Sequence, residues 1–253
     1  MNRFTGRVTA IATIALCLLP LGAQTSAAEV KAAVAANFTA AAKEIAAEFE
    51  QQSGHSVSLS FASTGKLYTQ IVNGAPFDIF LSADAARPRK LVDSGDAVAD
   101  SLFTYAVGQL VLWSADAALI DSEGSALKQK TLERLAIANP KTAPYGAAAI
   151  ETLQQLDLWT HYESSTVRGD SIAQTYQMAY TGAVQAALVA RAQIALDSSG
   201  SSWLIPAELY SPIRQQAVLL SHSADNEAAK ALIAYLQSDK ARSIIERYGY
   251  GLE

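Results

Sequence analysis

The chain has 253 residues, half of them apolar and 17% charged, with a formal net charge of −5 at pH 7. That balance excludes a disordered chain, and an acidic sequence without any cluster of Lys and Arg argues against a nucleic-acid binder. One Cys and 3 scattered His exclude a disulfide scaffold and leave no metal-ligand spacing.

Residues 1–28 read as a secretory signal peptide. Arg3 and Arg7 precede an apolar run over Val8–Leu21, and Ser26-Ala27-Ala28 offers small residues for cleavage after Ala28. The run is short for a bilayer span, and Leu16 before Cys17 does not suit a lipid-attachment site. Cleavage removes Cys17 and two Arg, leaving 17 basic against 24 acidic residues and no thiol, as suits an oxidising compartment. The expectation is a soluble, secreted protein.

The remainder alternates strand and helix. Val30–Ala36 reads as a buried strand and Phe38–Gln52 as a helix, with Ala41, Ala42, Ile45, Ala46 and Phe49 on one face and Gly54 as a left-handed stop. Val57–Phe61 is a strand, Leu67–Val72 a helix ended by Asn73-Gly74, and Phe77–Leu81 a strand. Ala106–Trp113 reads as one long strand, Leu135–Ala138 as a strand and Ala147–Leu156 as a helix. Then come a helix at Ile172–Tyr180, strands at Ala186–Val189 and Ala217–Ser221, and a helical Asn226–Arg247 broken near Ser238. This order predicts an α/β fold with largely parallel sheets.

Four loops share one design: small or hydroxyl residues between a strand-like run and a helix. They are Ala35–Thr39, Ala62–Lys66, Thr142–Gly146 and Arg168–Ile172. Taken singly, each reads as a helix cap, since Asn, Ser, Thr and Asp are ordinary N-caps and Asp170 would cap the helix near Ile172. Together they describe an anion site. Helix starts carry unpaired N–H groups and a partial positive charge, and several aimed at one point hold an anion without a buried cation.

Enzyme motifs are weak. Ser63-Thr64-Gly65-Lys66 matches S-x-x-K, but no S-D-N or K-T-G accompanies it, so a secreted serine hydrolase using Ser63 and Lys66 is the minor alternative. The Gly-Lys pair lacks the first Gly of a P-loop, and His55, His161 and His222 have no metal-binding spacing.

The segment Gly74-Ala75-Pro76-Phe77-Asp78-Ile79-Phe80-Leu81-Ser82-Ala83-Asp84 resembles the signature of periplasmic molybdate-binding proteins of ABC transporters. Ala35-Ala36-Asn37-Phe38-Thr39 and Phe61-Ala62-Ser63-Thr64-Gly65-Lys66-Leu67 resemble that family's first two ligand loops. Ile172-Ala173-Gln174-Thr175-Tyr176-Gln177 resembles the fourth, and Arg247-Tyr248-Gly249-Tyr250 the C-terminal ending. The resemblance implies a two-lobe periplasmic-binding-protein fold of type II, with residues 29–105 and 213–253 as lobe one and 106–212 as lobe two. A tetrahedral oxyanion, molybdate or tungstate, would lie in the cleft between them.

Carried over loop by loop, the ligand contacts fall on Asn37, Thr64, Tyr145 and Ile172, with Ser63 as the neighbour if the register slips by one. Asn37 would donate through its amide and Thr64 through hydroxyl and backbone. Ile172 would donate a backbone N–H, and Tyr145 a backbone N–H with its hydroxyl as a further donor. Some family members place a Tyr hydroxyl on the ligand where this chain has Ala190. The resemblance further implies no catalytic residues, no cofactor and no direct metal ligands, and a monomer delivering its anion to an inner-membrane ABC permease. Sulfate, also an unprotonated dianion, is the alternative ligand.

Overall fold

The computed structural model describes Met1, residues 27–197 and residues 199–253. The leader read over residues 1–28 therefore lies, from residue 2 to residue 26, outside the described residues. The chain runs β1 (Glu29–Ala35), α1 (Thr39–Ser53), β2 (Ser56–Ala62), α2 (Thr64–Val72), β3 (Ile79–Leu81), α3 (Ala86–Asp93) and β4 (Phe103–Gly108). It continues through β5 (Leu110–Ser114), α4 (Ser125–Lys128), β6 (Leu135–Ala138), α5 (Pro144–Gln155), α6 (Trp159–Tyr162), β7 (Thr166–Gly169), α7 (Ile172–Tyr180), β8 (Ala186–Ala190) and β9 (Ser201–Leu204). It ends with β10 (Ile213–Leu219), α8 (Glu227–Tyr235) and α9 (Asp239–Arg247).

These elements form two five-stranded sheets, ordered β2-β1-β3-β10-β4 and β7-β6-β8-β5-β9. Each is the centre of an α/β lobe. β1 pairs in parallel with β2 and β3, while β10 runs antiparallel to β3 and β4. In the second sheet β6 is parallel to β7 and β8, and β5 is antiparallel to β8 and β9. The sheets are thus mixed rather than largely parallel. The antiparallel strands are those that flank the two crossings between lobes.

Strand alternation splits each lobe's core in two. In β1, Val30, Ala32 and Val34 pack with α1, α8 and α9, while Ala33 faces Leu67 of α2 and Leu91 of α3. In β5, Leu110 and Leu112 face the α5 side, and Val111 and Trp113 the α7 side. Helix α1 buries the five residues its periodicity marks, and Gly54 closes it at φ 73°, with its N–H on Glu50 O.

Three readings need correction. The apolar run Ala106–Trp113 is not one strand: the chain leaves the first sheet after Gly108 and enters the second at Leu110, so Gln109 is a crossing point. The strand read from Ala217 begins at Ile213, which brings Gln215 and Gln216 into the sheet. β7 and β9 are short and partly polar, and strand patterning does not mark them.

Candidate functional site

Each of the four loops joins a strand to a helix start. A 3-10 turn at Ala36–Phe38 leads into α1, Ser63 precedes α2, Ala143 precedes α5, and Ser171 precedes α7. Pro144 occupies the first turn of α5, where its missing N–H is no loss, so this helix starts earlier than its apolar periodicity suggests. Ordinary capping accounts for only one loop. The Ser171 hydroxyl accepts from Gln174 N–H at 3.3 Å, so Ser171 rather than Asp170 caps α7. Ser63 stands in the cap position of α2 but makes no cap hydrogen bond, and its buried Oγ has no partner among the described residues. Thr64 Oγ1 accepts from Ala83 N–H at 3.0 Å, which leaves its own proton to donate. Among the described residues, the backbone N–H groups of Asn37, Thr64, Tyr145 and Ile172 make no hydrogen bond. They are the free donors expected at helix starts.

The loops close on one another as a ring. α7 packs against the turn at Ala36–Phe38, joining loops one and four. Gly65 N–H donates to Thr142 O at 2.8 Å, joining loops two and three. Lys66 Nζ meets Asp170 Oδ2 at 2.8 Å, joining loops two and four at the rim. Gln215 of β10 joins loops one and three. Its Oε1 accepts from Asn37 Nδ2 at 2.8 Å and its Nε2 donates to Tyr145 OH at 3.2 Å. Three of these links pair a residue of one lobe directly with a residue of the other, and in the fourth Gln215 spans them, so the two lobes meet across the cleft. Solvent exposure is 4% for Asn37, 3% for Ser63, 1% for Thr64, 1% for Tyr145 and 3% for Ile172, so the ring encloses all five.

The floor of the ring is a polar network in an apolar setting. Tyr250 OH donates to Asn37 O at 2.8 Å and accepts from Asn37 Nδ2 at 3.0 Å. Tyr105 OH has both Ser82 O and Gln215 Oε1 at 3.1 Å as acceptors for its one proton. Burial holds Tyr105, Tyr145 and Tyr250 well above the usual phenol range, and neighbouring phenols reinforce the effect. All three therefore stay neutral donors at physiological pH.

A model of bacterial extracellular solute-binding proteins matches residues 30–251. The chain belongs to this family. It is 50% identical to the molybdate-binding protein ModA of Rhodobacter capsulatus over 253 residues, covering 100% of both chains. It is 52% identical to the molybdate-binding protein ModA of Azotobacter vinelandii, covering 93% of this chain and 94% of that one. The solved structure of an Azotobacter vinelandii periplasmic molybdate-binding protein superposes with a TM-score of 0.86 at 39% identity, covering 88% of this chain and 99% of that chain.

In this solute-binding protein the charged groups near the ring are engaged elsewhere. Asp170 pairs with Lys66, and Asp84 pairs with Arg87, whose Nη2 donates across the cleft to Lys141 O at 3.0 Å. An inter-lobe recess of about 320 Å³, lined by Asp84, Arg87, Pro140, Pro144, Glu151 and Arg214, lies beside the ring. The five enclosed residues stand outside its wall. Ser63 and Lys66 form no nucleophile–base pair, since Ser63 Oγ is unpartnered and Lys66 Nζ is on Asp170. Among the described residues, no group of three or more His, Cys, Asp or Glu side chains is placed to hold a metal ion. No helix among them is long and apolar enough to cross a membrane.

One residue differs from its expected role. Both amide protons of Asn37 are committed within the protein, to Gln215 and Tyr250, so its backbone N–H is what it leaves free. Sequence patterning passes over Gln215 and the Gly65–Thr142 contact. A Gln pair interrupting an apolar strand is the one signal that could have pointed to Gln215.

Proposed function

We propose that this protein captures molybdate, with tungstate as a near-equal, between its lobes in the periplasm and delivers it to an ABC permease in the inner membrane. It does so as a monomer and without catalysis. The observation that carries this reading is the closed ring of helix starts. It presents the N–H groups of Asn37, Thr64, Tyr145 and Ile172 and the hydroxyls of Ser63, Thr64 and Tyr145. Among the described residues no carboxylate accepts a hydrogen bond from these donors, and Asp170 and Asp84 are paired with Lys66 and Arg87. A site made only of donors suits a tetrahedral dianion that carries no proton, and disfavours phosphate, whose proton needs an acceptor. The helix starts supply partial positive charge in a water-excluded space, where it acts more strongly than at the surface. The relatives named as molybdate-binding proteins, at 50% and 52% identity over nearly the whole chain, support the choice of anion.

The test is calorimetry and thermal melting with molybdate, tungstate, sulfate and phosphate. Molybdate and tungstate should bind and raise the melting temperature, with stabilisation of about 2.7 kcal/mol at 100 Kd. Phosphate should do neither. A sulfate response equal to that of molybdate would make this a sulfate receptor on the same fold, and no response to any of the four would refute an oxyanion site.

A further inference from the structure

We infer that Gln215 is the positioning residue of the anion site: by donating to the Tyr145 oxygen it turns the phenolic proton toward the bound oxyanion. The inference rests on the proposed reading of the cleft and adds a residue that reading does not use. Gln215 is fully buried in β10, between Arg214 and Gln216 and ahead of the apolar Ala217–Leu219. The pairing of β10 with β4 shifts register between Gln215 and Gln216, a local irregularity of the kind that re-aims a side chain. Gln215 pairs with Ala106 of β4, and two residues further along that strand Gly108, the partner of Ile213, presents bare backbone beside the Gln215 side chain. A Cβ there would fall 2.1 Å from Tyr145 OH and 2.8 Å from Gln215 Nε2, so only glycine leaves the two groups room to meet.

The polarity of the network is determined step by step. Tyr250 donates its one proton to Asn37 O, so its oxygen can only accept from Asn37 Nδ2. The other proton of that amide goes to Gln215, which must present Oε1 there. Nε2 then faces Tyr145, and an amide nitrogen has only protons to offer. The Tyr145 oxygen is therefore an acceptor toward Gln215, and its own proton, which meets no acceptor among the described residues, is left for a ligand. The chain of bonds starts in lobe one at Tyr250 and ends in lobe two at Tyr145, so it is complete only with the lobes together. The titratable groups that meet Gln215 are Tyr105 of β4 and Tyr145 of α5, with Tyr250 after α9 one hydrogen bond further on through Asn37. Asp84, a carboxylate acting on Tyr105, is paired with Arg87.

Two substitutions separate this role from simple packing. Gln215→Glu keeps the shape but presents a carboxylate, which draws the Tyr145 proton inward and adds charge beside the anion. Gln215→Met keeps the volume and removes the donor. With sodium molybdate as the probe, wild type should bind with a Kd flat between about pH 6.5 and 8.5, well below the ordinary Tyr range. Gln215→Glu should bind roughly 10- to 150-fold more weakly at the upper end, as for loss of a hydrogen bond to a charged group. Its affinity should climb as pH falls, because the protonated carboxyl can again donate. Calorimetry in buffers of different ionisation heat should show proton uptake on binding. Gln215→Met should be weaker at every pH without uptake, and in a Tyr145→Phe background it should add little further loss. Ligand-free melts show whether each variant folds, and if the Glu variant does not, the Met variant and its cycle with Tyr145→Phe decide. If wild type binds molybdate and Gln215→Glu binds within twofold with no proton uptake, the positioning role is overturned. It is also overturned if the Met and Phe losses simply add. If wild type binds no molybdate, the reading of the cleft itself falls, and the role of Gln215 with it.

Discussion

Gly65→Ala tests closure without touching an anion donor. Gly65 lies in the first turn of α2 with an ordinary negative φ, so alanine fits the helix itself. Its Cβ would sit 2.9 Å from Thr142 Cα and 3.1 Å from both Thr142 Cβ and Arg87 Nη2. Carbon atoms prefer separations of about 3.5–4.0 Å, so the Thr142 backbone must retreat by roughly 0.6–1 Å. Thr142 belongs to the other lobe, so the simplest relief is a partly opened cleft. Overpacking of this size costs about 1–3 kcal/mol. At 1.4 kcal/mol per decade, molybdate affinity should fall roughly 5- to 150-fold. The ligand-free protein should melt at or slightly above wild type, since Gly to Ala at a compatible site stabilises by about 0.4–1 kcal/mol. Titration calorimetry and a ligand-free melt measure both quantities. An unchanged Kd would mean the lobes need not approach this closely to hold the anion. A collapsed ligand-free melt would mean that the contact belongs to the fold rather than to closure.

Thr64→Ala should weaken molybdate binding by roughly 10- to 150-fold and, by stripping Ala83 N–H of its acceptor, also lower the ligand-free stability by about 1–3 kcal/mol. Ser63→Ala removes a hydroxyl with no partner among the described residues, so its melt should hold while its smaller affinity loss reports contact with ligand alone; the reverse ordering of affinities would shift the site by one residue. Ile172→Pro should fold, because Ser171 is already extended at φ −147° and ψ 165°, yet lose one donor N–H; scattering that still compacts fully with molybdate, at wild-type affinity, would take Ile172 out of the site. The phenols are held protonated by burial, so their contribution to stability is present below about pH 10 and is lost as pH rises above it. A molybdate Kd that weakens already near pH 8 would contradict neutral Tyr145 and Tyr105.

The helices and buried strands were legible where periodicity carries the signal. The α1 face through Phe49, its stop at Gly54, and the break at Ser238 between α8 and α9 all follow from local spacing. The lobe crossing was not legible, because Ala106–Trp113 is apolar throughout except at Gly108 and Gln109, and what breaks it is which sheet each half joins. The loops were readable as helix starts with small and hydroxyl residues. The use of Asn37 was not, since its amide partners lie 178 and 213 residues away along the chain. Sequence shows which groups can donate, whereas the closed fold determines which of them are already satisfied.

The strand order also constrains how the molecule is assembled. β10 sits between β3 and β4, so β4 has no neighbour in its own sheet until the last fifth of the chain has been made. The second sheet is built from one uninterrupted stretch, β5 to β9, and lacks nothing from either end. Lobe two can therefore condense on its own contacts, whereas lobe one must wait for a distant segment and bear the entropy of closing that long loop. Until β10 arrives, β3 and β4 expose open edges of the kind that pair with other chains. Late completion of lobe one also means that the cleft between the lobes cannot form until nearly the whole chain has been made.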